Sequence, residues 1–174
     1  MVGDDGNLYG TSKFGGLGDN GSVFRVSLGG TLTILATFTG SSGSLPGMFP
    51  ASRLVDGGDG NLYGVTTQGG TGNKGVIFRV STDGSVATLA HVSSFGSGSD
   101  VVGGLTLGND GKLYGTASRG GNFFGGTLFR VSLSGMGETI HHFASSRGGY
   151  RPQTTLTKAG SGIMYGTCSD TANI

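Results

Sequence analysis

Several things are scarce in this 174-residue chain, and each scarcity excludes something. There is one cysteine, Cys168, so no internal disulfide can form. Tryptophan is absent and proline occurs 3 times. Charged residues make up 12% of the chain, 11 basic against 10 acidic, with the signs interspersed. That argues against a disordered solvated tail and against a basic stripe, so nucleic acid is not an expected partner. No apolar run approaches the ~20 residues of a membrane-crossing helix, so membrane insertion is not expected. The opening MVGDDGNLYG has neither the basic nor the apolar region of an export signal. No window shows a convincing helical period.

What is abundant is glycine, 39 residues, and its placement is ordered. DGNLYG begins at Asp5 and again at Asp59; DGKLYG begins at Asp110, and a decayed SGIMYG at Ser161. The tyrosines Tyr9, Tyr63, Tyr114 and Tyr165 stand 54, 51 and 51 residues apart. A second marker keeps step: VFRV, IFRV and LFRV end at Val26, Val80 and Val131. A period of this length points to a propeller or a solenoid.

Each unit reads as four short strands bounded by Gly, Asn, Asp and Ser. In the third they are GGLTLG, KLYGTAS, GTLFRVS and ETIHHF. The boundaries fall at 1–50 (lacking most of strand one), 51–101, 102–152 and a truncated 153–174. Four strands in about 50 residues is the measure of a propeller blade. The expected fold is therefore all-β: tandem four-stranded antiparallel blades forming a partial β-propeller, an open arc of about three blades, with a β-solenoid as the alternative. The DG pairs are expected in hairpin turns, where Gly adopts positive φ and Asp tolerates it. Leu8, Leu62 and Leu113 should fill one side of each sheet and the tyrosines the other.

DGNLYGT, a glycine pair, G-x-[VIL]-F-R-V and a Thr-rich strand ending in Phe together resemble the GloVer tandem repeat of bacterial proteins. The likeness spans nearly the whole chain. It implies a propeller-like repeat and a secreted or cell-surface setting, and it brings no catalytic residues with it.

No residue set for catalysis, cofactor or metal binding emerges from the pattern. Each turn offers one or two carboxylates, too few for calcium, and a turn former bonding its own backbone accounts for them. Arg25, Arg79 and Arg130 occupy equivalent places and suit a salt bridge or stack repeated in each blade; an anion-binding ring is the sharper reading. His91 and His142 are equivalent too, without a recurring third ligand for zinc. Glycine pairs such as GGLGDNG lack the Lys-Ser/Thr ending of a phosphate loop.

The loops after strands two and four are longer and differ between units. In an up-and-down blade they emerge at one edge, the edge where function is expected. Its candidates are Lys13, Phe14, Gln68, Lys74, Arg119, Phe123, Phe124, Arg147, Tyr150 and Arg151. The adjacent aromatics of NFFGG suit stacking on a sugar or on another protein. Only scattered acids, Asp19 and Asp100, share that edge. The expected function is a non-catalytic surface module that binds a protein or glycan or acts as a spacer, with self-association through exposed blade edges or flanking repeats. The alternative is a fragment of a propeller enzyme acting on glycans.

Overall fold

A computed structural model describes residues 1–96, 98–144 and 149–169. Among these the chain is built from strands and short 3-10 turns. The first blade has β1 (Leu8–Ser12), β2 (Ser22–Val26) and β3 (Leu32–Thr37). Only a bridge from Val2 to Leu8 stands where a first strand would lie. The second blade is complete: β4 (Met48–Asp56), β5 (Asn61–Gln68), β6 (Val76–Ser81) and β7 (Val86–His91), hydrogen-bonded in that order. The third splits its first two strands. β8 (Gly98–Ser99) and β9 (Leu105–Leu107) face β11 (Arg119–Gly120) and β10 (Leu113–Ala117), followed by β12 (Thr127–Val131) and β13 (Gly137–His142). A fourth unit contributes β14 (Thr157–Lys158) and β15 (Met164–Tyr165). The result is an all-β, propeller-like arc of antiparallel meanders, not a closed barrel.

Register repeats as faithfully as sequence. Tyr9, Tyr63 and Tyr114 lie opposite Arg25, Arg79 and Arg130; Gly10, Gly64 and Gly115 lie opposite Phe24, Phe78 and Phe129. A β-bulge falls just before that phenylalanine in all three blades. It leaves Leu35, Leu89 and Ile140 as the extra residue of the outer strand.

The repeated motif reads G-x-D-G-x-L-Y-G, and the structure gives most of its letters a physical task. The first loop closes with Gly6 N–H on Gly3 O and Gly3 N–H on Asn7 O, both 2.9 Å. This is a three-residue hairpin loop ending in a left-handed residue. The glycine alone carries the positive φ (76° at Gly6), and Asp5 does not share it, contrary to the expectation from the DG pair. The aspartate does two other things. One carboxylate oxygen accepts the N–H two residues on, and the other accepts the tyrosine hydroxyl. Those hydroxyl bonds measure 2.9 Å (Tyr9–Asp5), 2.8 Å (Tyr63–Asp59) and 3.0 Å (Tyr114–Asp110). The glycine after each tyrosine admits the phenylalanine ring from the next strand: a Cβ on Gly10 or Gly115 would stand 2.5 Å from its Cζ.

Burial pushes the Tyr63 phenol up to about 12, helped by the Asp59 bond. Burial raises the Asp59 carboxyl in turn, but the bonds from Tyr63 and Asn61 outweigh it and hold the group below the ordinary carboxylate range.

The core lies between blades. Tyr9 and Val23 of the first blade meet Leu54, Leu62, Phe78 and Val80 of the second. Tyr63, Val65 and Ile77 of the second meet Leu105, Leu113, Phe129 and Val131 of the third. Each blade thus presents its tyrosine face forward and its Leu/Phe face backward. Phe78 and Phe129 are buried, each stabilising the stack by roughly 1.5–3 kcal/mol. The rear face of the first blade has no such cover: Leu8 is 44% exposed, where Leu62 is 5% and Leu113 0%.

The equivalent histidines have repeated structural partners, and the equivalent arginines do not share one. Arg130 pairs with Glu138 at 2.8 Å, but Arg25 and Arg79 lie opposite Thr33 and Ala87, so the expected repeated salt bridge forms only in the third blade among the described residues. His91 and His142 accept the N–H of Thr71 and Asn122 on Nδ1, at 3.1 and 3.3 Å. They pin the loop after strand two.

Candidate functional site

Those loops share one length and one closing hydrogen bond. Gly21, Gly75 and Gly126 donate to Gly15, Gly69 and Gly120 at 2.9, 3.0 and 2.9 Å. The left-handed position in each is Asp19, Asn73 or Phe124, with φ of 57°, 54° and 57°. The loops therefore keep one length and one closure, which the sequence reading did not anticipate; they part at Gly18 and Gly72, which are left-handed where the equivalent Phe123 is not. The loops after strand four do differ: residues 92–95 form a 3-10 turn with Val92 and Phe95 buried.

The two loop sets meet at one edge, as expected. Phe49 N–H reaches Asn20 O at 2.9 Å, and Arg151 N–H reaches Gly125 O at 2.7 Å. Phe49, Asp100 and Arg151 are spaced by 51 residues and share a left-handed backbone, with φ of 55°, 58° and 50°. Each presents its carbonyl to a hydroxyl from the end of strand two: Thr67 at 3.1 Å, Ser118 at 3.2 Å and Ser169 at 3.3 Å. β4 packs against β1 before it and β9 after it, so the first-strand side is the inner side of the arc.

At this inner edge lies a cavity of about 510 Å³. All four units line it. The first supplies Lys13 and Phe14, the second Phe49, Thr67 and Gln68, the third Asp100, Val102, Ser118 and Arg119, and the fourth Arg151 and Gln153. Phe14 meets Phe49 edge to face at 5.6 Å, and Lys13 Nζ stands 5.3 Å from the Phe14 ring centre. Arg119 Nε pairs with Asp100 at 3.2 Å, leaving most of its guanidinium exposed. Arg151 lies over the Tyr150 ring at 5.1 Å. Three cations thus share the cavity with one carboxylate.

Five of the ten candidate loop residues converge here: Lys13, Phe14, Gln68, Arg119 and Arg151. Tyr150 takes part through Arg151. Phe123 lines a separate hollow with His141, His142 and Phe143, while Phe124 stands 79% exposed. Lys74 sits at the end of the second blade's 3-10 turn, away from the cavity. Arg147 lies outside the described residues. Phe49 and Gln153 were not foreseen, although the 51-residue spacing of 49, 100 and 151 was available. Among the described residues no three His, Cys, Asp or Glu side chains group as metal ligands. The arrangement can hold a ligand that offers a ring face, hydroxyls and negative charge.

The sequence matches the model of the Gloeobacter/Verrucomicrobia repeat over residues 1–173. No curated protein matches it. Among solved structures it is similar to virginiamycin B lyase from Staphylococcus aureus, with a TM-score of 0.68 and 20% identity, covering 96% of this chain and 47% of that one. It is also similar to a putative gluconolactonase, with a TM-score of 0.59 and 18% identity, covering 95% of this chain and 55% of that one. The chain therefore spans about half the length of each, and at these identities the likeness is one of fold.

Proposed function

We propose that this chain, which belongs to the Gloeobacter/Verrucomicrobia repeat family, is a non-catalytic β-propeller-type module that binds a glycan at the inner edge of its arc, in a secreted or cell-surface protein. The observation that carries this is convergence. Equivalent positions of successive units deliver two phenylalanines, two glutamines and three cations to one cavity. Its volume falls within the range of small-ligand sites, about 300–1,000 Å³. Aromatic faces suit the apolar face of a sugar ring, and the amides and hydroxyls suit its hydroxyl groups.

The non-catalytic part rests on the carboxylate count. Cleaving a glycosidic bond by the common route takes two carboxyl groups flanking it. The cavity holds Asp100, and Arg119 engages it. A second reading is a fragment of a propeller enzyme acting on glycans; the names of the two similar structures, a lyase and a putative gluconolactonase, favour its enzymatic part and say nothing of glycans.

Titration calorimetry against a panel of oligosaccharides tests both. Binding that Phe14→Ala weakens supports the module. Conversion of a bound saccharide, followed by chromatography, would move the assignment to the enzyme. No binding across the panel would leave a spacer.

The same proposal puts another blade of this repeat against the rear of the first blade, from a second copy or a flanking unit. The faces inside the arc are the template, since the Tyr9 face covers Leu62 and Phe78 there. If a second copy supplies it, light scattering of Leu8→Lys should show a smaller mass than the parent; equal masses would exclude the second copy and leave the flanking unit.

A further inference from the structure

We propose that the ligand of the inner cavity carries carboxylates, being an acidic saccharide built of uronate units, and that Lys13 and Arg151 hold its charge. This rests on the glycan-binding reading and narrows it.

The charge balance comes first. The chain as a whole has a formal net charge of +1, yet three of its cations share this cavity with one carboxylate. The two ion pairs among the described residues are Arg119–Asp100 and Arg130–Glu138, so neither Lys13 nor Arg151 has an anionic partner there. Each lies over an aromatic ring instead, Phe14 at 5.3 Å and Tyr150 at 5.1 Å. A ring face positions a cation without neutralising it. Both are therefore ordered and still available to an anion.

Backbone strain is the second argument. Arg151 holds φ of 50° at a place where the preceding unit uses Asp100, a residue type that tolerates the left-handed region better. Strain of this kind concentrates at functional sites. Here it carries the Arg151 side chain to the cavity rim.

The third argument is a carboxylate already in place. Asp100 shows that such a group fits against the Arg119 guanidinium, through Nε at 3.2 Å. The rest of that fork remains open to a second carboxylate. Phe14 and Phe49 then face the ring, and Gln68 and Gln153 its hydroxyls.

The test uses tetramers of galacturonate, glucuronate and mannuronate, their methyl esters, and the matching neutral tetramers, by titration calorimetry. At least one uronate should bind about tenfold or more tighter than its methyl ester. That affinity should fall as salt rises from about 50 to about 300 mM. Lys13→Ala and Arg151→Ala should each weaken it about tenfold, with unchanged circular dichroism; Lys13→Arg should restore much of the loss, and Lys74→Ala should leave binding as it was. Esters or neutral tetramers binding as well as the acids would overturn the carboxylate and leave the glycan reading standing. Uronate binding indifferent to Lys13 and Arg151 would overturn the site. No saccharide bound at all would overturn both readings.

Discussion

Replacing Phe124 by asparagine should stabilise the protein. The loop after strand two has one length in three blades, and its left-handed non-glycine position is Asp19, Asn73 or Phe124. The first two accept a loop N–H on their side chains, Gly15 at 2.6 Å and Gly69 at 2.8 Å. Phenylalanine has no acceptor, so Gly120 receives no such bond from it. A side chain in the left-handed region costs roughly 1–2 kcal/mol, and asparagine relieves much of that. The restored hydrogen bond adds about 0.5 kcal/mol, the low end for an exposed site. Against this, Phe124 is 79% exposed, so losing its ring forfeits on the order of 0.5 kcal/mol of burial. The balance is about 1 kcal/mol of stabilisation, a rise in Tm of about 2–4 °C for a chain of this size. Urea and thermal unfolding of Phe124→Asn measure it, and Asn73→Phe should cost a similar amount. The reasoning fails if Phe124→Asn is neutral or destabilising while Asn73→Phe is tolerated.

Three further outcomes follow from the tyrosine–aspartate hairpins and the glycine beside them. Tyr63→Phe removes the partner of Asp59 from a buried place and should cost about 1–2 kcal/mol in urea unfolding, more than Tyr114→Phe, whose ring is half-exposed. Gly64→Ala would press a methyl into the Phe78 ring and to 2.7 Å from Leu54 Cδ2, costing about 1–3 kcal/mol; adding Phe78→Leu should recover part of the loss, and no recovery would contradict the packing argument. The third concerns pH. The carboxyls of Asp5, Asp59 and Asp110 are all held low, so their contribution is present above the unfolded value near 3.9 and is lost as pH falls through the folded values. The Tyr63 phenol is raised to about 12, so its contribution holds below about 10 and fades as pH climbs toward the folded value. Asp59→Asn should flatten the acid limb; an acid limb identical to the parent's would argue against this assignment.

The fold was legible because its markers are chemical and periodic. Tyr, the FRV triplet and the DG pair recur with one spacing, and each answers to a steric or hydrogen-bonding need that all blades share. The hydroxyl bond from Tyr63 to Asp59 was not foreseen, although both residue types keep a constant separation of four. Of Phe49, Asp100 and Arg151, the last two were placed on the right edge and Phe49 stayed hidden. The three share a backbone position and no side-chain chemistry, so a search by residue type does not link them. Lys13, Phe14, Gln68, Arg119 and Arg151 could be named because loop position alone put them on the right edge. The arginine series misled in the opposite way. Its members are identical, but the acid that would pair with each is present only as Glu138.

The hairpin bond also bears on how such chains grow. Each tyrosine hydroxyl bonds within its own turn; in the first blade it also lies 3.5 Å from Thr82 O. The surface handed to the next blade is mainly a set of apolar shapes that recur from unit to unit, with a few hydroxyl bonds across it such as Thr139 to Phe95 O and Thr106 to Leu156 O. A blade whose strand pairing and turn are closed within itself, and whose packing shapes recur, can follow another of its kind, and a duplicated one meets a neighbour it already fits. Unit number can then drift by duplication or loss without inventing an interface, while the edge loops diverge freely. Length and specificity become separate characters, one set by the gene's copy number and the other by a few rim positions.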